Sequence, residues 1–498
     1  MKKNIGVCLG ILAMGLGIVG VPAARAQSRL AASGTGGATE TNPTTAAVVP
    51  AASSPVDLDR RVEELEKELV ELRSEMAARK QAEETAAATP APAATAIPQD
   101  KPAEKSTIAS LLGPTSLSGF IDAYYQVNFN HPASRNVNFR AFDGNSKTLA
   151  LNMMELVLDK APDPMGGAAG RTGYHVALGY GQAMNIINAS EDASSATTGL
   201  GGDFDTVNQA PGFGQYLKEA YFSYLAPIGK GLQVDVGKFV TPMGAEVIES
   251  KDNWNYSRGL LFSYAIPFFH FGARAKYIFN DKYSMTGFLV NGWNNTLDNN
   301  SGKTYGVSFA LTPTKKLTIT PTYLAGPEAP TGVFGPNATG GLVNVNDAWR
   351  QTLDVVVAYN PTAKLSFLLN GDYGRGDRTV TNFESSPFIL SPPVWWAGGA
   401  GYVKYAIDAN DYVAGRYEYF EDHDGFTTGV PNRTHFHEFT ATYQRTLATH
   451  LLTRLEYRRD MTNLTSPVYE ISTFGLPVNH QDTVSLGLIF LFDSRDAK

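Results

Sequence analysis

Residues 237–271 read GKFVTPMGAEVIESKDNWNYSRGLLFSYAIPFFHF. The stretch is polar, aromatic and irregular, and it carries Glu246, Glu249, Lys251, Asp252 and Arg258. It is too long for a hairpin turn. Its flanks behave differently. Before it, residues 216–239 (YLKEAYFSYLAPIGKGLQVDVGKF) form two alternating segments around Pro227-Ile228-Gly229-Lys230. After it, residues 271–290 (FGARAKYIFNDKYSMTGFLV) do the same around Asn280-Asp281. The chain therefore shows strand, tight turn, strand, long loop, strand, tight turn, strand. Gly, Pro, Asn and Asp supply the turns through positive φ, fixed φ and local side-chain bonds.

That rhythm extends in both directions. In SLSGFIDAYYQVNF (116–129), Leu117, Ile121, Ala123, Tyr125 and Val127 share one face, opposite Ser118, Asp122, Tyr124, Gln126 and Asn128. In DTVSLGLIFLF (482–492), Val484, Leu486, Leu488, Phe490 and Phe492 oppose Thr483, Ser485 and Gly487. Period two over such lengths is the pattern of a strand between an apolar and a polar medium. About sixteen such segments fall between residues 116 and 492. The connections alternate between long and short. A Greek-key sandwich has no reason for this, but an up-and-down barrel has, with short periplasmic turns and long external loops. A sheet in lipid must pair every backbone amide, so it closes on itself. About sixteen strands leave an aqueous lumen. The expected fold class is all-β: a transmembrane antiparallel up-and-down barrel spanning 116–498, with residues 241–267, inside the opening stretch, as the third external loop.

Bulk properties agree. Hydrophobic residues make up 43% of the 498, and charged residues 18%, too few charges for a disordered chain. Beyond the first thirty residues there is no apolar run of about 18, so no transmembrane helix is expected. The net charge of −7 and the lack of a basic face speak against nucleic-acid binding.

The N-terminal part is organised differently. Residues 1–26 read as a signal peptide, with Lys2 and Lys3, an apolar middle, and Ala24-Arg25-Ala26 as the cleavage site. The only cysteine, Cys8, lies within it, so the mature chain would have neither disulfides nor thiolate metal sites. Residues 27–55 and 85–115 are linkers rich in Ala, Pro and Thr. Between them, 56–84 is a short α-helical coiled coil, placed in the periplasm by the even strand count. Leu58, Val62, Leu65, Leu69, Leu72 and Met76 alternate steps of four and three, the a/d seam of such a coil. So narrow a seam calls for a second copy of the helix, or for a single helix laid on the barrel or on another protein.

On the inner face several strands carry charges that would be costly facing lipid: Asp235, Arg274, Lys276, Asp354, Arg416, Glu418, Glu438, Arg454, Glu456 and Arg458. They suit a charged wall that sets ion preference, or pairs that brace it across strands. Glu246, Glu249, Lys251, Asp252 and Arg258 are candidates for a constriction. His435 and His437 share a face with Phe439, Ala441 and Tyr443, which makes an interfacial position the better reading than a metal pair. Asp422-His423-Asp424-Gly425 starts like a calcium loop but lacks the distal Glu, so a turn is expected. There is no G-x-S-x-G elbow, and neither an enzyme nor a cofactor or metal is expected.

The segments 216–250, 253–281 and 416–426, with their A-Y-x-x-Y…G-K-F-x-T-P-x-G-x-E pattern, resemble the OmpL-like β-barrel porins. The resemblance covers most of 116–492. It implies a water-filled channel in the outer membrane of Gram-negative-type bacteria, passive diffusion of small hydrophilic solutes, and a homotrimer. General porins fold their third loop into the lumen, which here falls on Gly244 to Arg258. The coil lies outside that signature and suggests an alternative: a barrel anchor whose coil tethers the membrane to the cell wall or to partners. The last strand also departs from the pattern, since Phe492 is followed by DSRDAK.

Overall fold

The computed structural model describes residues 115–188, 213–298, 300–328, 349–376, 393–430, 433–463, 467–471 and 477–497. The expected signal peptide, the expected linkers up to residue 114 and the expected coiled-coil seam of Leu58 to Met76 lie outside the described residues.

Among the described residues, sixteen strands form one sheet. They are β1 (Ser116–Asn128), β2 (Leu149–Lys160), β3 (Thr172–Tyr180), β4 (Leu217–Ala226), β5 (Leu232–Val240), β6 (Phe269–Asn280), β7 (Tyr283–Val290) and β8 (Thr304–Thr314). They continue as β9 (Leu317–Pro327), β10 (Trp349–Tyr359), β11 (Leu365–Gly376), β12 (Val394–Ala406), β13 (Asp411–Asp422), β14 (Thr434–Leu447), β15 (Leu451–Thr462) and β16 (His480–Asp493). Each pairs antiparallel with its chain neighbours, and β1 pairs with β16, so the ring is closed. Closure leaves no unpaired strand edge. Among the described residues no helix is long and apolar enough to cross a membrane.

The side-chain pattern is that of a water-soluble protein turned inside out. In β1, Leu117, Ile121 and Tyr125 are exposed outward while Asp122, Tyr124, Gln126 and Asn128 are buried inward. In β14, Phe439 and Tyr443 are exposed while Glu438, Thr440 and Thr442 are buried. Leu149, Phe222, Tyr305, Leu369, Tyr417 and Phe490 continue the exposed apolar surface around the ring. An apolar surface of this extent calls for a lipid solvent.

The turns follow the expected rhythm with one departure. The β4–β5 turn needs Gly229, whose φ of +56° and contact with the Tyr277 hydroxyl leave no room for a side chain. The β2–β3 connection, at the end of the short turns, is longer than the others there, because residues 167–170 wind into a single helical turn. The third long connection, 241–268, joins β5 to β6.

The interior holds an apolar core. Phe142 from the first long connection, Leu261, Phe262, Ile266 and Phe268 from the third, and Trp396, Phe420 and Phe436 from the wall are buried together. A globular protein gains its stability this way, and here the barrel encloses it.

Candidate functional site: the loop that crosses the barrel

The third long connection leaves β5 and turns at Gly244, where φ is +90° and the Ile266 side chain packs close. It then runs inward. Residues 255–262 are all buried, although as far as Gly259 the backbone forms neither strand nor helix. A single wide helical turn, Leu261–Ala265, follows. Such a segment has backbone N–H and C=O groups that neither water nor a ladder satisfies, and each one left unpaired is costly.

The wall supplies the partners. Arg454 on β15 donates to the carbonyls of Asn253 at 2.7 Å, Asn255 at 3.1 Å and Lys251 at 3.3 Å, and also to that of Ser250. Arg458 donates to the Arg258 carbonyl at 2.7 Å, and Arg416 on β13 to the Ser257 carbonyl at 2.7 Å. Carboxylates take the amides. Glu456 accepts from the N–H groups of Tyr256 and Ser257, and Glu418 from that of Leu260. On β11, Asn370 accepts from the Ala245 N–H at 2.9 Å. Trp396 on β12 donates its indole N–H to the Ala265 carbonyl at 3.0 Å. Charged partners make the stronger class of hydrogen bond, worth about 1.5–3 kcal/mol each.

Side chains of the loop complete the attachment. Glu246 pairs with Arg416, which also meets Glu438 at 2.6 Å. The Tyr256 hydroxyl donates to Asp122 on β1 at 2.9 Å, and the Ser250 hydroxyl to the same carboxylate at 2.7 Å. Burial, reinforced by the Asp122 carboxylate, holds the Tyr256 phenol well above its ordinary pKa, so it stays a donor. Glu249 pairs with Lys218 on β4, which also meets Glu155 on β2.

The expected constriction residues thus divide. Glu246 and Arg258 are buried; Arg258 donates to the carbonyls of Ile248 and Tyr256 and lies over the Phe142 ring at 4.8 Å. Lys251 and Asp252 pair with one another, with side-chain exposures of 28% and 54%, and remain accessible. The expected wall residues divide in the same way. Arg416, Glu418, Arg454, Glu456 and Arg458 are buried beneath the loop, whereas Arg274, paired with Asp235 at 2.8 Å, is partly exposed and Lys276 is exposed.

The first long connection joins the same assembly, which the sequence reading had not foreseen. Arg140 pairs with Asp143 and reaches Gln126 at 3.2 Å, and Phe142 packs on Phe262 and Phe268 at 5.7 and 5.6 Å. Burial pushes the Asp143 carboxyl up, but the Arg140 guanidinium outweighs it and holds the group below its ordinary value. The available signal was an Arg and an Asp three residues apart beside Phe in a long connection. Elsewhere, Asp422 accepts from the N–H groups of Phe426, Thr427 and Thr428, so that segment is a carboxylate-capped turn. His437 meets the Tyr417 hydroxyl at 2.9 Å, on the face that carries the exposed Tyr417 and Phe439.

A model of the family described as "Putative beta-barrel porin-2, OmpL-like" matches residues 114–492. Among solved structures, the chain is similar to the anion-selective porin from Comamonas acidovorans, with 10% identity and a TM-score of 0.45 over 76% of this chain and 99% of that one. It is similar to the outer membrane channel DcaP of Acinetobacter baumannii, with 10% identity and a TM-score of 0.46 over 76% and 97%. It is also similar to OmpT of Vibrio cholerae in its trimer form, with 10% identity and a TM-score of 0.44 over 76% and 99%. No curated protein sequence matches the chain.

Proposed function

Because the chain belongs to the family of OmpL-like β-barrel porins, we propose that it forms a water-filled outer-membrane channel for passive diffusion of small hydrophilic solutes or ions, narrowed by the third external loop. The observation that supports this reading is the wall-bound course of residues 241–268, whose buried backbone is held by Arg416, Glu418, Arg454 and Glu456. A loop fixed at this many points narrows the lumen permanently rather than flickering across it.

In this reading the buried charges hold the loop, and Lys251, Asp252, Arg274 and Lys276 meet the permeating solute. The route passes Arg274 and Lys276 on β6 and the uncharged inward positions of the strands beyond it. In the half of the barrel nearer the short turns, the inward positions of β7–β11 include Ser284, Thr286, Thr318, Thr320, Val356 and Leu368. Hydroxyls replace part of a solute's hydration without binding it tightly, which suits passage over retention. The protein works as a homotrimer, and the coil at 56–84 stands in the periplasm and favours the oligomer.

The test is conductance of the full-length protein in planar bilayers, with the reversal potential read in a salt gradient. Discrete channel steps are expected. A folded barrel that gives none would favour the tether, in which the barrel only anchors the coil.

A further inference from the structure

Asp354 on β10 and Asp372 on β11 face each other directly across the strand pair, on the inner wall. Their exposures are 0% and 5%, and their carboxyl groups are within hydrogen-bonding reach of one another. Other buried carboxylates of the interior have either a cation, as Glu246 and Glu438 have Arg416, Asp460 has Arg458, Asp235 has Arg274 and Glu155 has Lys218, or several neutral donors, as Asp122, Glu456 and Asp422 have. Asp354 accepts from Asn370 Nδ2 at 2.7 Å and from the Gly244 N–H, but its Oδ2 has no donor. Neither oxygen of Asp372 has one.

The surroundings offer no relief. Thr322 of β9 lies opposite Asp354 in register, and Gly398 of β12 lies opposite Asp372. The further charge acting on Asp372 is negative, that of Glu418 on β13. Arg416 is already bound to Glu246 and Glu438. Two ionised carboxylates in contact, with no donor between them, repel strongly in a low-dielectric interior. One proton removes the conflict, because the protonated group then donates to the ionised one.

We propose that Asp354 and Asp372 hold a single proton between them and so form a latch on the first turn of the crossing loop. The proton resides on Asp372, which has no other donor to satisfy it, and is donated to Oδ2 of Asp354. Asp354 stays ionised and keeps the Gly244 N–H, while Asn370 bridges Asp354 to the Ala245 N–H. Loss of the proton in alkali drives the two carboxylates apart and frees Gly244 and Ala245.

The test is infrared spectroscopy of the full-length barrel, read in the carbonyl region of protonated carboxyl groups. A band is expected at neutral pH that disappears reversibly in alkali and is absent from Asp372→Asn. The Asn amide donates at every pH, so alkali should speed amide exchange at Gly244 and Ala245 in the wild type, after correction for intrinsic rates, and not in the variant. Millimolar magnesium or calcium should leave the band unchanged. The proposal falls if no such band titrates in the wild type, or if either cation abolishes it, which would make the pair a cation site. Glu328, buried beyond β9, also carries a proton near neutral pH, so the band is read in a Glu328→Gln background. If Asp372→Asn does not fold, Asp354→Asn breaks the same pair, and a band that titrates unchanged in it overturns the proposal. Because the band is read without conductance, a barrel that passes no current leaves the test intact.

Discussion

Glu246, six residues beyond the end of β5, is ion-paired with Arg416 in β13, a strand eight places away in either direction around the ring of sixteen. Arg416 also holds Glu438, and all three groups are buried. Removing the guanidinium leaves Glu246 buried without a cation and Glu438 with Arg458 alone, a loss of about 3–5 kcal/mol in comparable pairs. Arg416→Ala should therefore lower the thermal unfolding transition clearly. Arg416→Lys should recover only part, since an ammonium cannot reproduce the planar fork that also reaches the Ser257 carbonyl. An unchanged transition in Arg416→Ala would show that the pair does not hold the loop.

Tyr256 and Asp122 make the corresponding link to β1. Tyr256→Phe removes one hydrogen bond to a charged acceptor and should cost about 1.5–3 kcal/mol. Asp122→Asn should cost more, because Ser250 and Asn152 also donate to that carboxylate. The two changes should be non-additive in a double-mutant cycle, and additivity would separate the residues.

Selectivity should respond to accessible charges and not to buried ones. Asp252→Lys and Lys276→Glu should move the reversal potential in opposite senses, the first towards anions and the second towards cations. Arg454→Gln, which loses its hold on up to four loop carbonyls, should instead raise channel noise and lower thermal stability. A selectivity shift from Arg454→Gln as large as that from Asp252→Lys would overturn this division.

Glu328, just beyond β9, provides a pH dependence. Its carboxyl accepts from the Trp293 N–H at 3.0 Å and from the Thr304 hydroxyl. Burial pushes its pKa up from 4.5 to about 7, against the opposing field of Arg350. The folded state then binds the proton more tightly than the unfolded state, so stability falls as pH rises from 4.5 towards 7. The full effect is on the order of 3 kcal/mol. Glu328→Gln should flatten this part of the pH profile of thermal unfolding, and a slope identical to the wild type would rule the residue out.

Deleting residues 57–84 tests the coil separately. The truncated chain should still fold as a barrel but dissociate to monomers more readily in detergent. An oligomer as stable as that of the full chain would remove the coil from assembly.

The strands were legible because period two and the change of medium act on each residue locally. Ser116 to Asn128 and Asp411 to Asp422 could be bounded from side-chain type alone. The loop's anchoring was not legible in the same way. Arg454 and Arg458 alternate with Leu455 and Tyr457 whether they face water or a buried carbonyl, and only the three-dimensional course of residues 250–258 distinguishes the two. Asp354 and Asp372 were likewise legible as inward residues, but their contact depends on strand register, which neither segment states by itself. The role of Arg140 depends on the first long connection folding inward against β1 and β15.

The partners of the crossing loop also impose a schedule on assembly. Residues 246–260 are made early, but Arg416, Glu418, Arg454, Glu456 and Arg458 come from β13 and β15, some 150–200 residues later in the chain. Until those strands have arrived, the loop has only its own partners, such as Arg258 for the Ile248 carbonyl and Asn253 for Val247, and lacks those of the wall. Contacts of such sequence separation form late and slowly. Loop docking therefore waits for β13 and β15, and a chain arrested before β13 would present an unfastened apolar segment, Leu260 to Phe268, as a target for chaperones and proteases.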